Sequence, residues 1–308
     1  IKMLTRAQTD YYRENGFLVL KQLLPETEIE MLRQELNWMI NSAPIHLGAS
    51  ENRYNRVVEH PEDYAFTVLD PDSGHQVINR ISNPLARSEV ILRTYGHPKL
   101  LQAVTSLYGS DFVPFAESIV IKMPENGASF EWHQDGNFKT GVQPVRGVNF
   151  GIYLYPSTQD NGCLHVIPKS HRWGQANLKS MVEKHGPRLP DSIPVPAEAG
   201  DAIVHNRNLI HGSFTNTSPD LRITVYFGYH RRDTVVDVFT PEHVRQRKQV
   251  IWLAVQHRAE SNLVTEEEDG LPMVADEQPF SLDQFQSEIS HFSLEEKAKI
   301  LRAPPLAI

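Results

Sequence analysis

The sequence is poor in several features, and each absence closes off a class of protein. Cys163 is the only cysteine, so no intramolecular disulfide can form. No apolar run is long enough to span a bilayer, and no signal-peptide pattern is visible. Basic residues are the minority, 30 against 38 acidic, for a net charge of −8. With no basic stripe to overturn that balance, an electrostatic nucleic-acid binder is disfavoured. Internal repeats and low-complexity blocks are missing too. What these absences leave is a cytoplasmic protein with neither membrane nor nucleic acid among its partners. Ile1-Lys2 ahead of Met3 reads as residues left over from expression.

Apolar residues make up 40% of the 308, ample for one large core, so a single domain over residues 1–308 is expected. Thr5 to Asn15 reads as a short helix closed by Gly16, then a strand Phe17–Leu20. Pro25 opens a longer helix to about Ile40, with Ile29, Leu32, Leu36 and Met39 at helical spacing. From Ala43 to Ser82 the chain is polar and rich in breakers, which predicts a long loop bordering a pocket, with Gln76, Asn79 and Arg80 as substrate contacts or solvated surface. Helices follow at about Arg87–Tyr95 and Pro98–Tyr108. Strands are expected at Phe115–Met123, Val148–Tyr155, Cys163–Ile167, Ala202–His205 and Arg222–His230, with turn-rich separations that fit a jelly roll better than βαβ units. Helical patterns return at Pro241–Gln256, Leu282–Ile289 and Leu294–Leu301, the first two separated by the acidic run Glu266–Gly270. These C-terminal helices are candidates for a cap or a homodimer contact.

The chemistry concentrates in Phe130-Glu131-Trp132-His133-Gln134-Asp135-Gly136, read with His211-Gly212-Ser213. His133 and Asp135 stand two apart, so on a strand both side chains face one point. His211 is the best third partner. Two His and one carboxylate on one side of a metal, with the other positions open, is the facial arrangement of non-heme Fe(II) oxygenases. On spacing alone a structural hydrogen-bonded His–Asp pair is the better account, because the chain has 14 His. The stretch Arg222–Tyr229 tips the balance. Ile223, Val225, Phe227 and Tyr229 alternate with Arg222, Thr224 and Tyr226, a half-buried strand with an arginine on its more polar face. Such an arginine needs an anionic partner, and a planar guanidinium suits a dicarboxylate.

Taken together, His-Gln-Asp-Gly, Asn-Gly-Cys-Leu-His-Val-Ile-Pro-Lys-Ser-His, Gly-Asp-Ala-Ile-Val-His and His-Gly-Ser followed by Arg resemble the phytanoyl-CoA dioxygenase family. The resemblance runs from about Thr5 to about Arg232 and leaves the last seventy or so residues outside. It implies a mainly β protein with flanking helices on a double-stranded β-helix, a cupin-like jelly roll. It also implies an Fe(II)- and 2-oxoglutarate-dependent dioxygenase that oxidises a small molecule, converting 2-oxoglutarate and O2 to succinate and CO2. A reducing compartment suits Fe(II).

By that resemblance His133, Asp135 and His211 are the metal ligands and Arg222 anchors the far carboxylate of 2-oxoglutarate. Ser213, two residues beyond His211, is a candidate to hydrogen-bond the same carboxylate or orient Arg222. Lys122 either adds charge for 2-oxoglutarate from the barrel interior or caps a strand end. Gln134 lies between ligands, and relatives sometimes use that position near the co-substrate. Tyr153 and Tyr155 line the cavity or pack in the core. Phe130 and Trp132 flank the metal motif and pack against substrate or a lid, or, more simply, in the core. His165, His171, His205 and Cys163 read as structural. Halogenating relatives replace the carboxylate ligand with a small residue, so Asp135 favours hydroxylation over halogenation. Desaturation and cyclisation stay open, as do a hydrolytic or isomerising metal enzyme on the same barrel and a non-catalytic cupin that binds a small ligand.

Overall fold

The computed structural model describes residues 4–125, 127–136, 147–236, 238–261 and 292–306. In chain order its elements are α1 (Arg6–Asn15), β1 (Phe17–Leu20), α2 (Glu26–Asn41), β2 (Tyr64–Asp70), β3 (His75–Ser82), α3 (Glu89–Tyr95), α4 (Pro98–Tyr108), β4 (Phe112–Lys122), β5 (Phe130–His133), β6 (Gly147–Tyr153), β7 (Leu164–Val166), α5 (Leu178–His185), β8 (Ile193–Val195), β9 (Ala202–Asn206), β10 (His211–Ser213), β11 (Arg222–Arg231), α6 (Pro241–Ala259) and α7 (Leu294–Leu301). The expected helix Leu282–Ile289 and the acidic run before it lie outside the described residues.

Two antiparallel sheets form the jelly roll, one ordered β1-β9-β6-β11-β4-β3-β2 and the other β5-β10-β7-β8. Local signals account for the opening helices. Thr5 and Gln8 cap α1 reciprocally, and Gly16, at φ 83°, takes the left-handed turn that ends it. The expected apolar stripe of α2, Ile29, Leu32, Leu36 and Met39, is fully buried. It packs with Ile119, Ile121, Ile223, Val225, Phe227 and Tyr229 in the main core, which fills the space between the large sheet and the helices. Alternation along β11 therefore turns Arg222, Thr224, Tyr226, Gly228 and His230 the other way, toward the second sheet. A smaller core between the sheets, from Phe17, Tyr153, Leu164, Val166 and Ile203, closes one end of that interior.

One expectation is corrected. The segment from Ala43 to Ser82 is not all loop, because β2 and β3 form a hairpin that extends the large sheet through Arg80, Ile81 and Ser82 on β4. Its pairing slips between Ala65 and Phe66 and again between Val68 and Asp70. Bulges break the two-residue period by which a half-buried strand is recognised, and this edge hairpin buries no continuous face.

The C-terminal region is part of the body of the protein. Val250, Ile251, Trp252, Leu253, Ala254 and Val255 of α6 join the main core. After α7 the chain runs as a strap. Leu306 N–H donates to Phe115 O at 3.0 Å, His243 Nε2 lies 2.7 Å from Pro304 O, and Arg247 donates to Ala303 O at 3.2 Å. Among the described residues no helix is long and apolar enough to cross a membrane.

Candidate active site

Strand register, not proximity in sequence, brings the two imidazoles together. β5 and β10 pair with His133 directly opposite His211, and their ring centroids are 4.1 Å apart. Asp135, just past the end of β5, reaches both rings, with Oδ1 3.5 Å from His133 Nε2 and Oδ2 3.5 Å from His211 Nε2. One donor atom from each of the three residues lies within 4.8 Å of the others, the compass of one coordination sphere.

The donor set fits a cation. His133 Nδ1 is 2.7 Å from Glu131 O and His211 Nδ1 is 2.9 Å from Leu209 O. A carbonyl only accepts, so each Nδ1 carries the proton and each Nε2 turns a lone pair toward the carboxylate. Three acceptors facing one another repel unless a positive charge sits among them. The titration behaviour of His211 agrees. Burial, reinforced by His133, pushes His211 down to about 3, which keeps it neutral. Burial also pulls on His133, but the hydrogen bond and charge of Asp135 win and leave it raised. Burial opposes ionisation of Asp135 too, yet His211, His133 and His205 hold its carboxyl well below the usual carboxylate range.

Further side chains fasten Asp135. Asn149 Nδ2 donates to Oδ2 at 2.7 Å. His205 Nε2 lies 3.4 Å from the same oxygen, and the two residues face each other across the β6–β9 pair. Arg207 donates to the Asp135 carbonyl at 2.6 Å, and Gly136 N–H donates back to Arg207 O at 2.9 Å. A Cβ at Gly136 would meet Asn208 Oδ1, so a larger residue after this aspartate displaces the end of that side chain.

A cavity of about 570 Å³ opens on the three residues. Arg222 and Ser213 line it, as do Phe130 and Arg80. Arg222 is 2% exposed, donates to Gly162 O, and keeps a buried Nε without a partner. Among the described residues no carboxylate pairs with it. Three other candidates stand elsewhere. Lys122, opposite Arg222 in register, turns its ammonium to the carbonyls of Ala128 and Phe214, each at 2.5 Å. Burial, with Arg222 alongside, pushes Lys122 down to about 6. Gln134 uses its whole side-chain amide on backbone groups of Gly174, Asn208 and Ala176, bracing the loop after β5. Tyr153 is fully buried behind Arg222, whose guanidinium carbon lies 5.8 Å from the ring centroid.

Sequence reasoning missed Asn149, Arg207, Tyr226 and Arg247, which all line the cavity, while His205, read as structural, lines it too and lies against Asp135. Only His205 had a linear signal, as the last residue of Gly-Asp-Ala-Ile-Val-His.

The family model described as phytanoyl-CoA dioxygenase matches residues 12–224. The chain belongs to the phytanoyl-CoA dioxygenase family. Like that family it is an Fe(II)- and 2-oxoglutarate-dependent dioxygenase, which sets aside the readings without dioxygen. A similar family member is the ectoine dioxygenase of Halomonas elongata, 26% identical over 263 residues, covering 75% of this chain and 71% of that protein. Among solved structures, EvdMO1 matches with a TM-score of 0.59 at 28% identity over 73% of this chain, which spans 50% of EvdMO1. EctD from S. alaskensis, solved with iron and with 2-oxoglutarate and 5-hydroxyectoine, shares the fold at TM-scores of 0.59 and 0.58. Its identity is 20% and 21% in the two structures, and each covers 75% of this chain and 78% of EctD.

Proposed function

We propose that His133, Asp135 and His211 hold the Fe(II), that Arg222 anchors the distal carboxylate of 2-oxoglutarate, and that the reaction hydroxylates an aliphatic C–H of a small organic molecule. The observation that carries this reading is a metal-sized donor set sharing one cavity with a buried guanidinium that has no carboxylate partner among the described residues. When bound, the iron and 2-oxoglutarate supply dioxygen activation, one oxygen atom entering the substrate and the other succinate as CO2 leaves.

The chain's own residues do the rest. Carbonyls of Glu131 and Leu209 hold both imidazoles in the tautomer that presents Nε2. Asn149 occupies Asp135 Oδ2, which leaves Oδ1 to the metal. Arg222 supplies a planar, permanently charged clamp, with Ser213 beside it on the cavity wall. Phe130, Val120 and Leu164 give that wall apolar patches that keep bulk water from the reacting centre. Asn149→Ala is expected to weaken iron binding by roughly 10–100-fold, the usual effect of removing a partner behind a ligand. A competitive chelator titration checks this, and an unchanged affinity would show that Asp135 needs no such support.

The test of the reading is spectroscopic. Fe(II) and then 2-oxoglutarate, added anaerobically to metal-free protein, are expected to produce the visible charge-transfer band of the chelated co-substrate. The band should vanish in His133→Ala. Iron that binds without giving the band would remove the reading.

A further inference from the structure

The cavity holds a second buried guanidinium. Arg207 is 2% exposed, lines the cavity and keeps its Nε without a partner. Its other contacts are uncharged. They are the Asp135 carbonyl, His230 Nε2 at 3.2 Å, and the Phe115 ring, whose centroid lies 3.7 Å from the guanidinium carbon. Burial and the neighbouring Arg207 push His230 down to about 3, so it stays neutral. Among the described residues no carboxylate ion-pairs with Arg207. The acid that bears on it most, Asp135, meets it through the main chain and has the metal to neutralise. Burying a guanidinium without a counter-ion is costly unless an anion arrives with a ligand.

Arg207 does not duplicate Arg222. Arg222 opens β11, whereas Arg207 N–H donates to Gly147 O beside His230 near the other end of that strand. Eight residues of strand separate these ends, about 26 Å at about 3.3 Å per residue, more than a five-carbon diacid bridges. Tyr226 and His205 lie between them, at the level of the metal ligands, with ring centroids 6.2 Å apart. One more cation lines the Arg207 side, Arg247, and it is neutralised by Glu117 at 2.5 Å. A protein of net charge −8 thus keeps an uncompensated positive pole inside its cavity.

We propose that Arg207 is a substrate subsite for a carboxylate, so that the molecule oxidised here is a carboxylic acid held at the opposite end of the cavity from 2-oxoglutarate. The proposal rests on the reading that Arg222 takes 2-oxoglutarate. The planar fork of a guanidinium matches a carboxylate in shape as well as charge. Phe115 beneath Arg207 holds that fork flat, and the strap residues Ala303 and Pro305 close the cavity wall nearby.

The test reads the arginines directly. Protein labelled with 15N-arginine and loaded with Zn(II) and 2-oxoglutarate is titrated with propionate and, in parallel, with propionamide. The Nε–Hε signals of Arg207 and Arg222 are assigned by their loss in Arg207→Lys and Arg222→Lys. Should Arg207→Lys fail to fold, Gly147→Ala, whose new Cβ would press on the Arg207 side chain, moves the same signal instead. The expected result is a saturable shift of the Arg207 signal with propionate and none with propionamide, while Arg222 stays still. An equal response to both probes, a response confined to Arg222, or no saturable shift overturns the proposal. If adding 2-oxoglutarate leaves the Arg222 signal unmoved, the co-substrate reading fails separately, whatever Arg207 does.

Discussion

Asp135→Ala is expected to yield a folded protein that loses its iron on desalting and forms succinate from 2-oxoglutarate more than ~100-fold more slowly. The bound comes from comparison, since even partners behind a ligand are worth roughly 10–100-fold in affinity or activity. Folding should survive, because the side chain is 26% exposed in the cavity and belongs to no apolar cluster. Its removal leaves two neutral imidazoles, a weaker and less directional donor pair than the full set. It also frees Asn149 and His205 from the oxygen they now contact. Iron content and succinate release, measured on the same sample, separate loss of metal from loss of chemistry. Turnover within about tenfold of wild type would remove Asp135 from the ligand set, because no primary ligand is worth so little.

Arg222→Ala should act on the co-substrate alone. A hydrogen bond to a charged group is worth about 1.5–3 kcal/mol, so the 2-oxoglutarate KM is expected to rise by roughly 10–150-fold. Iron affinity should hold, since Arg222 contacts none of the three candidate ligands and lies toward the Gly162 carbonyl. Arg222→Lys is the informative partner variant. It restores charge without the fork, and the Lys122 side chain already stands opposite in register, so a second lysine would crowd the first. Lysine should therefore recover only part of the loss. Steady-state kinetics over a 2-oxoglutarate series decide it, and an unchanged KM in Arg222→Ala would mean that another residue holds the carboxylate.

What could be read from the linear sequence, and what could not, follows from where each signal resides. His133 ends β5 with Asp135 two residues on, and Arg222 heads a strand whose alternation is unbroken, so short-range spacing marked all three as candidates and the family motifs decided against a merely structural pair. His211 needed the family motif as well, because β10 is only three residues long and declares no period of its own. Asn149 and Arg207 reach the site through cross-strand pairing, Asn149 opposite His205 and Arg207 beside Gly147. A register of that kind exists only once the sheet has formed. The β2–β3 hairpin was lost to its bulges. Lys122 and Gln134 have the chemistry of co-substrate ligands but turn to backbone groups nearby, an outcome that local spacing does not encode.

The pairing of β1 with β9 bears on how this protein comes to be made. Phe17-Leu18-Val19-Leu20 finds its partners at Ala202 to His205, so an entirely apolar strand must wait for a segment from the far side of the chain. At about 5–20 residues per second, synthesis leaves it unpaired for roughly ten seconds or more. During that interval its open hydrogen-bonding edges are a template for association with other nascent chains. The same long-range closure makes refolding slow compared with proteins built from local contacts. Cooler expression, or a chaperone that shields the first strand, should therefore raise the soluble yield without altering the finished enzyme.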